Sequence, residues 1–220
     1  MPLICLVRHG QASFAAQDYD VLSELGREQA TAVGRELARR GLRDPRLVSG
    51  TLLRQRDTAE LLAKAAGFEQ PAWQDARWNE YDHLALMARY AEPQPEGAAD
   101  SRAVQVLLDR ALRAWIEDPD GVSGADGWSA FVGGAGAALA ELSGALGQGR
   151  DAVVVTSGGV LAALCGALLS VPPAGVVALN RVTVNASVTT LAVGGSGTSL
   201  LTFNDHAHFT GDRRGLLTYR

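Results

Sequence analysis

Two runs of apolar residues, Leu3-Ile4-Cys5-Leu6-Val7 and Ala152-Val153-Val154-Val155, each stop abruptly at a polar turn that contains glycine. An unbroken apolar run of this length reads as a strand buried on both faces, and such strands belong to parallel sheets covered by helices. The first run ends in Arg8-His9-Gly10-Gln11, the second in Thr156-Ser157-Gly158-Gly159. Leu25, Ala30, Val33 and Leu37 give one face of a predicted helix over 24–40, with Ser23 as its N-cap and Gly41 as its stop. Leu47-Val48 is a short strand, and 52–66 a helix stopped by Gly67. Further helices are predicted over 100–117, 128–146 and 160–169. Ala186–Val193 and Ser199–Phe203 flank a Gly-Gly-Ser-Gly turn and read as a hairpin. Alternation of strand and helix predicts an α/β fold: a mostly parallel central sheet, helices on both faces and an antiparallel edge from the hairpin.

The chain has 220 residues, which suits a single domain, 1–220, carrying an insertion. The insertion is placed at about residues 75–125, as a lid. Its start lies in a stretch with Trp73, Trp78, Tyr81, Tyr90 and the prolines Pro71, Pro93 and Pro95. Lys+Arg number 20 against 24 Asp+Glu, a net charge of −4. That balance argues against nucleic acid and against an anionic membrane surface as partners. The N-terminal apolar run is too short for a signal sequence or a membrane span, so a cytoplasmic protein is expected. Cys5 and Cys165 each sit in an apolar run and read as buried free thiols. No pattern of cysteine and histidine has metal-ligand spacing, so no metal is expected. The terminal hairpin offers a sheet edge that could pair two copies in a homodimer.

In open parallel sheets, ligands bind beyond the carboxyl ends of the strands. A glycine-containing turn leading into a helix offers unpaired N–H groups to an anion there. Arg8 adds a planar fork of donors, and His9 a nucleophile or base.

The order of motifs extends this reading. Strand and Arg8-His9-Gly10 are followed by Leu22-Ser23-Glu24-Leu25-Gly26-Arg27-Glu28-Gln29-Ala30. Then come Ser49, Arg54 and Thr58-Ala59, Asn79-Glu80, and Asp126-Gly127-Trp128-Ser129-Ala130-Phe131 before the late strand. This resembles the histidine phosphatase superfamily, phosphoglycerate mutase-like branch, over most of the chain. The resemblance implies that His9 attacks phosphorus and carries a transient phosphohistidine, its other ring nitrogen donating to a backbone carbonyl. Arg8 and Arg54 would clamp the phosphoryl oxygens, and Glu80 would protonate the leaving alkoxide and then activate water. Gly10, Gln11, Ser13, Ser157 and Gly158 are the candidate substrate contacts. No cofactor is implied. The substrate would be a small phosphorylated metabolite. The lid has few cations (Arg77, Arg89, Arg102), which points to a small or moderately polar phosphoester.

The chain departs from the pattern at two places. Ser157 stands where the family has its second histidine, and Ala15 where mutase-like members often have asparagine. A serine hydroxyl still donates but is short and neutral. Losing one charge-assisted hydrogen bond costs about 1.5–3 kcal/mol, or about one to two decades of rate. The alternatives are therefore a catalytically impaired member that binds phospholigands or regulates, and a phosphoglycerate-type mutase. His206 and His208 are candidates to replace the missing imidazole. His83, three residues after Glu80, reads as a surface or lid residue, and Trp73, Trp78 and Tyr81 as lid packing.

Overall fold

The computed structural model describes residues 1–13, 20–90, 101–118, 127–147 and 149–219, with the side chains of 101 and 102 set aside. The elements follow in the order β1 (Leu3–Arg8), α1 (Glu24–Arg39), β2 (Arg46–Ser49), α2 (Leu53–Ala66), β3 (Trp73–Gln74), a 3-10 turn (Ala76–Trp78), α3 (His83–Tyr90), α4 (Ser101–Glu117), α5 (Trp128–Leu146), β4 (Ala152–Thr156), α6 (Gly158–Leu169), α7 (Pro173–Val182), β5 (Val188–Gly194), β6 (Gly197–Asp205) and two further 3-10 turns, Ala207–Phe209 and Gly211–Leu216. The sheet order is β3-β2-β4-β1-β5-β6. The four strands from β3 to β1 run parallel; β5 and β6 are antiparallel and close one side. The expected α/β sheet with an antiparallel edge is thus what the chain forms.

β1 and β4 are neighbours, with Val7 opposite Val155 and Arg8 opposite Thr156. Their apolar residues are sealed on both faces. Ile4, Leu6 and Val154 pack with Ala138, Leu142, Leu161 and Leu164 from α5 and α6. Cys5, Val7, Val153 and Val155 pack with Val33, Leu37, Ala59 and Leu62 from α1 and α2. Burial on both sides is why these strands lack alternation. Both thiols are buried and free, and desolvation pushes Cys5 up to about 11 and Cys165 up to about 12.

Local signals end the helices as the residues require. Ser23 Oγ accepts from Gly26 N at 3.0 Å and caps α1. Gly67, at φ 76°, ends α2 in the left-handed region. α5 is apolar and long enough by composition to cross a membrane, yet one face of it, Ala135, Ala138, Leu139, Leu142 and Leu146, is built into the core. Three elements were not foreseen. β3 has two residues, too few for a pattern. α3 lies in the Trp- and Pro-rich stretch. α7 begins at a proline pair that reads as a stop but serves as its start, with Pro at the first helical positions. α6 also begins two residues earlier than predicted, directly at Gly158.

Of the segment expected as a lid, the turn at Ala76–Trp78, α3 and α4 are described, and residues 91–100 and 119–126 lie outside the described residues. α3 and α4 pack through Leu86, Leu112 and Trp115 onto Ala162 of α6 and Val176 and Val177 of α7. Trp78 is buried, whereas Trp73 is exposed, with the Arg46 guanidinium 5.9 Å from its ring. Arg77 is turned to Asp75 and Glu141.

Asp151 ties the sheet together at the end opposite the polar turns. Its carboxylate accepts from Leu3 N at 2.8 Å, Arg43 N at 2.8 Å and the Arg43 guanidinium at 2.8 Å. Although burial opposes ionisation, these donors hold its pKa below the ordinary carboxylate value. A depressed folded-state pKa gives stability that is full above the unfolded-state value and lost as pH falls through the folded one. Asp151→Asn is expected to lower the unfolding free energy by about 1–3 kcal/mol at pH 7. Denaturant titration should show the gap between variant and wild type closing as the pH is brought below about 4.

Candidate active site

The ends of β1 and β4 deliver the polar turns to one cavity of about 420 Å³, lined by Arg8, His9, Arg54, Glu80 and Gly158 among others. His9 is held from both sides. Its backbone N–H donates to Thr156 O at 2.8 Å, and its carbonyl accepts from Asn185 Nδ2 at 3.2 Å. In the ring, Nδ1 lies 2.7 Å from Gly10 O, which can only accept, so Nδ1 carries the proton. Nε2 is then the unprotonated nitrogen, and it accepts from Arg54 Nε at 3.2 Å. Burial, followed by the charges of Arg54 and Arg8, holds the imidazole well below its ordinary pKa. At neutral pH the ring is uncharged, with a lone pair at Nε2.

Gly10 makes this loop possible. Its N–H donates to Thr58 Oγ1 at 3.0 Å, and a Cβ there would overlap the carbonyl of Gly26 in the first turn of α1. Gln29, buried in α1, completes the support. Its Oε1 accepts from Gln11 N at 2.8 Å, and its Nε2 donates to Leu216 O and Thr218 Oγ1.

The two arginines arrive from different elements. Arg8, the last residue of β1, donates through Nη1 to Thr183 O and to Tyr219 O, the latter at 2.9 Å. Arg54, in the first turn of α2, is 8% exposed. Its Nη1 donates to Asp20 Oδ1 at 2.6 Å. The same carboxylate accepts from Leu53 N at 2.7 Å and so also caps α2. Glu80 is brought in behind Asn79, whose side chain exchanges hydrogen bonds of 2.7 Å with Thr51 N and Thr51 Oγ1. Glu80 Oε2 accepts from Gly159 N at 3.0 Å, at the start of α6. Desolvation outweighs that N–H and both arginines, so its carboxyl stays protonated to a higher pH than usual.

His9, Arg8, Arg54, Glu80 and Gly158 therefore meet, whereas four expected contacts do not line the cavity. Gly10 is consumed in the close approach to α1. Gln11 turns its Oε1 to Ser23 Oγ at 2.9 Å. Ser13 pairs its N–H with Val21 O at 2.7 Å as the chain leaves the site. Ser157 is fully buried, and its Oγ accepts from Gln55 Nε2 at 2.8 Å. Gln55 also donates to Trp78 O at 2.9 Å, which takes a second bond from Thr156 Oγ1 at 2.7 Å. The hydroxyl at position 157 is thus part of a knot under the site. Neither of the two late histidines lines this cavity. His206 Nδ1 pairs with Asn204 O at 2.6 Å and lines a different cavity, and His208 Nε2 pairs with Ala186 O at 3.1 Å. Ala15 lies outside the described residues.

Several residues of the site were not foreseen. Asp20, the partner of Arg54 behind the cavity wall, has nothing in its spacing to mark it. His83 lines the cavity from the first position of α3. Tyr81 also lines it, with its ring 5.5 Å from Trp115 and 5.9 Å from Phe131, so it is at once packing and wall. Asn180 and Arg181 come from α7, the helix the sequence reading missed. A Cβ at Gly159 would overlap Glu80 Oε1 and the Tyr81 ring. Gly159→Ala is therefore expected to displace Glu80 and to lower the unfolding free energy by about 1–3 kcal/mol, read by thermal or denaturant unfolding.

Comparisons with known proteins bear on the family and the fold. The family model of the histidine phosphatase superfamily (branch 1) matches residues 4–206. A glucosyl-3-phosphoglycerate phosphatase of Mycolicibacterium vanbaalenii is 32% identical over 191 residues, which is 77% of this chain and 75% of that protein. The structure of a mycobacterial glucosyl-3-phosphoglycerate phosphatase in complex with VO3 matches with a TM-score of 0.67 at 26% identity, covering 94% of this chain and 100% of that one. A phosphoglycerate mutase from Bacillus anthracis shares the fold, with a TM-score of 0.66 at 20% identity and 94% of each chain covered. With the family pattern matched from the first strand to the end of the last, this chain belongs to the histidine phosphatase superfamily and is a phosphatase of that type.

Proposed function

We propose that the protein hydrolyses a small phosphomonoester, without a metal, through a phosphohistidine on His9. The observation that supports this most is the state of that ring. Nδ1–H is held by Gly10 O, and Nε2 carries a lone pair, marked by Arg54 Nε–H, beside a cavity lined by two guanidinium groups. In the first step the Nε2 lone pair attacks phosphorus and the bond to the ester oxygen breaks. The departing alkoxide takes the proton of Glu80, whose raised pKa keeps it available. In the second step the Glu80 carboxylate takes a proton from water, the water oxygen bonds to phosphorus, and the P–N bond breaks to return neutral His9.

Charge builds on the non-bridging oxygens in both steps, and Arg8 and Arg54 are placed to receive it. Arg54 Nε donates to His9 Nε2 at rest. Once that lone pair is bonded to phosphorus, the N–H is released to a phosphoryl oxygen. Asp20 keeps the guanidinium in place meanwhile through Nη1.

The alcohol side of the cavity has a different character. α3 contributes Leu84 and Met87, and α4 contributes Val104 and Leu108. Arg181 is engaged by Asp109, with Nε to Oδ2 at 2.8 Å. This wall suits an alcohol of moderate polarity with one phosphate better than a multiply phosphorylated one.

Hydrolysis of p-nitrophenyl phosphate should proceed in EDTA and be abolished by His9→Ala. An acid-labile phosphate should appear on wild-type protein during turnover and be absent from that variant. No turnover by wild type, with vanadate still raising the melting temperature, would instead mark a phospholigand-binding protein. Glu80→Gln should lower kcat/KM about 10²–10⁴-fold with alkyl phosphates and much less with p-nitrophenyl phosphate, whose leaving group needs no proton, while slowing breakdown of the phosphohistidine with both. Wild-type activity on alkyl phosphates should fall as pH rises through the raised Glu80 pKa, and this limb should vanish in the variant.

A further inference from the structure

The imidazole that the family pattern places at position 157 is missing, and the hydroxyl there is turned to Gln55 below the site. The cavity nevertheless holds a second imidazole. His83 lines it together with His9, Arg8, Arg54 and Glu80. We propose that His83 is a catalytic residue that hydrogen-bonds the phosphoryl oxygens, doing from the lid side what the absent histidine would do from the end of β4. The proposal rests on the phosphatase reading and adds a residue to it.

Three observations carry it. First, His83 is delivered by a braced segment. Asn79 is tied to Thr51, Glu80 to Gly159 N, and Tyr81 is clasped between Trp115 and Phe131. Immediately after, Asp82 Oδ1 accepts from Leu84 N at 2.9 Å and Ala85 N at 3.0 Å, which starts α3 with His83 as its first residue. A side chain set by caps and packing on both sides can position a hydrogen bond, as a loose loop cannot.

Second, the ring sits in the field of the phosphate-facing groups. It is half-buried, and its proton affinity is lowered by desolvation and by Arg54 while Asp82 opposes. The other charged groups of the cavity wall are Arg8 from β1, Glu80 from the turn before α3, and Arg181 from α7 with its partner Asp109; α4 presents Val104, Gln105 and Leu108. A phosphoryl dianion entering between Arg54 and His83 reverses the balance. It masks the guanidinium charge and favours the imidazolium, which then adds a charge-assisted donor. Third, His9, Arg54 and His83 line one cavity of about 420 Å³, the size of a small-ligand site, so one bound phosphoester can face all three.

The test uses His83→Gln, which keeps a polar side chain at the position, with His83→Lys to restore a cation. With p-nitrophenyl phosphate, His83→Gln should lower kcat about ten- to hundredfold, and His83→Lys should recover part of the loss. Sulfate provides a readout that needs no turnover, because it stays a dianion while imidazoles titrate. Wild-type affinity for sulfate should rise between about pH 8 and about pH 5.5, and His83→Gln should lose about tenfold of that gain. If kcat stays within twofold of wild type, or if sulfate binding tightens equally in both proteins, the proposal fails and His9 alone accounts for the titration. Loss confined to KM for bulky alcohols also overturns it, making His83 part of the alcohol wall. His9→Ala measured alongside separates this from failure of the phosphatase reading. Turnover lost in His9→Ala and kept in His83→Gln sinks only the role of His83, whereas absence of turnover in wild type sinks the mechanism and leaves sulfate to judge the contact.

Discussion

A neutral imidazole pinned between an acceptor and a donor is the arrangement from which the rest of the site takes its meaning. Gly10 O fixes the proton on Nδ1, and Arg54 Nε marks the lone pair on Nε2. Neither bond exists without the fold around it. Gly10 can present its carbonyl only because it has no side chain to collide with α1. The ring is set at the depth of the sheet because Thr156 O and Asn185 Nδ2 hold the His9 backbone. Gln29 and Thr218 then tie the loop and the C-terminal tail into one hydrogen-bonded unit.

The electrostatics of the cavity follow from a division between partners. Arg8 and Arg54 suppress protonation of His9, and the same charges would pull Glu80 toward ionisation. Desolvation wins at Glu80 and holds its carboxyl above the ordinary carboxylate value, beside a nucleophile that is neutral at rest. A site built this way has unspent positive charge to offer an entering dianion, tempered by Asp20 on the Arg54 guanidinium. Position 157 carries a neutral hydroxyl, and the region beneath the site is uncharged and hydrogen-bonded.

The two central strands and their polar ends were legible in the sequence because burial on both faces leaves an unmistakable unbroken run. The meeting of His9, Arg8, Arg54 and Glu80 was legible only through the order of motifs, since each tripeptide alone is common. Gln11 and Ser13 were misread because nearness in sequence to His9 stood in for nearness in space. The loop instead turns them toward Ser23 and Val21. His83, read as a surface or lid residue, does lie in the lid segment; that it lines the cavity follows from the start of α3 at the Asp82 cap, which no periodicity in a short helix shows. α7 was hidden behind Pro172-Pro173, a pair that marks a break and also a favourable helical start. β3 consists of two exposed residues whose only strand credential is a partner in β2.

The knot between Gln55 and Ser157 has a consequence for substitution. Both residues are fully buried. Gln55 Nε2 serves both Trp78 O and Ser157 Oγ, so a change at 157 alone leaves one of its two N–H groups in need of a new acceptor in the core. The two positions are therefore coupled, and the effects of replacing them should not add.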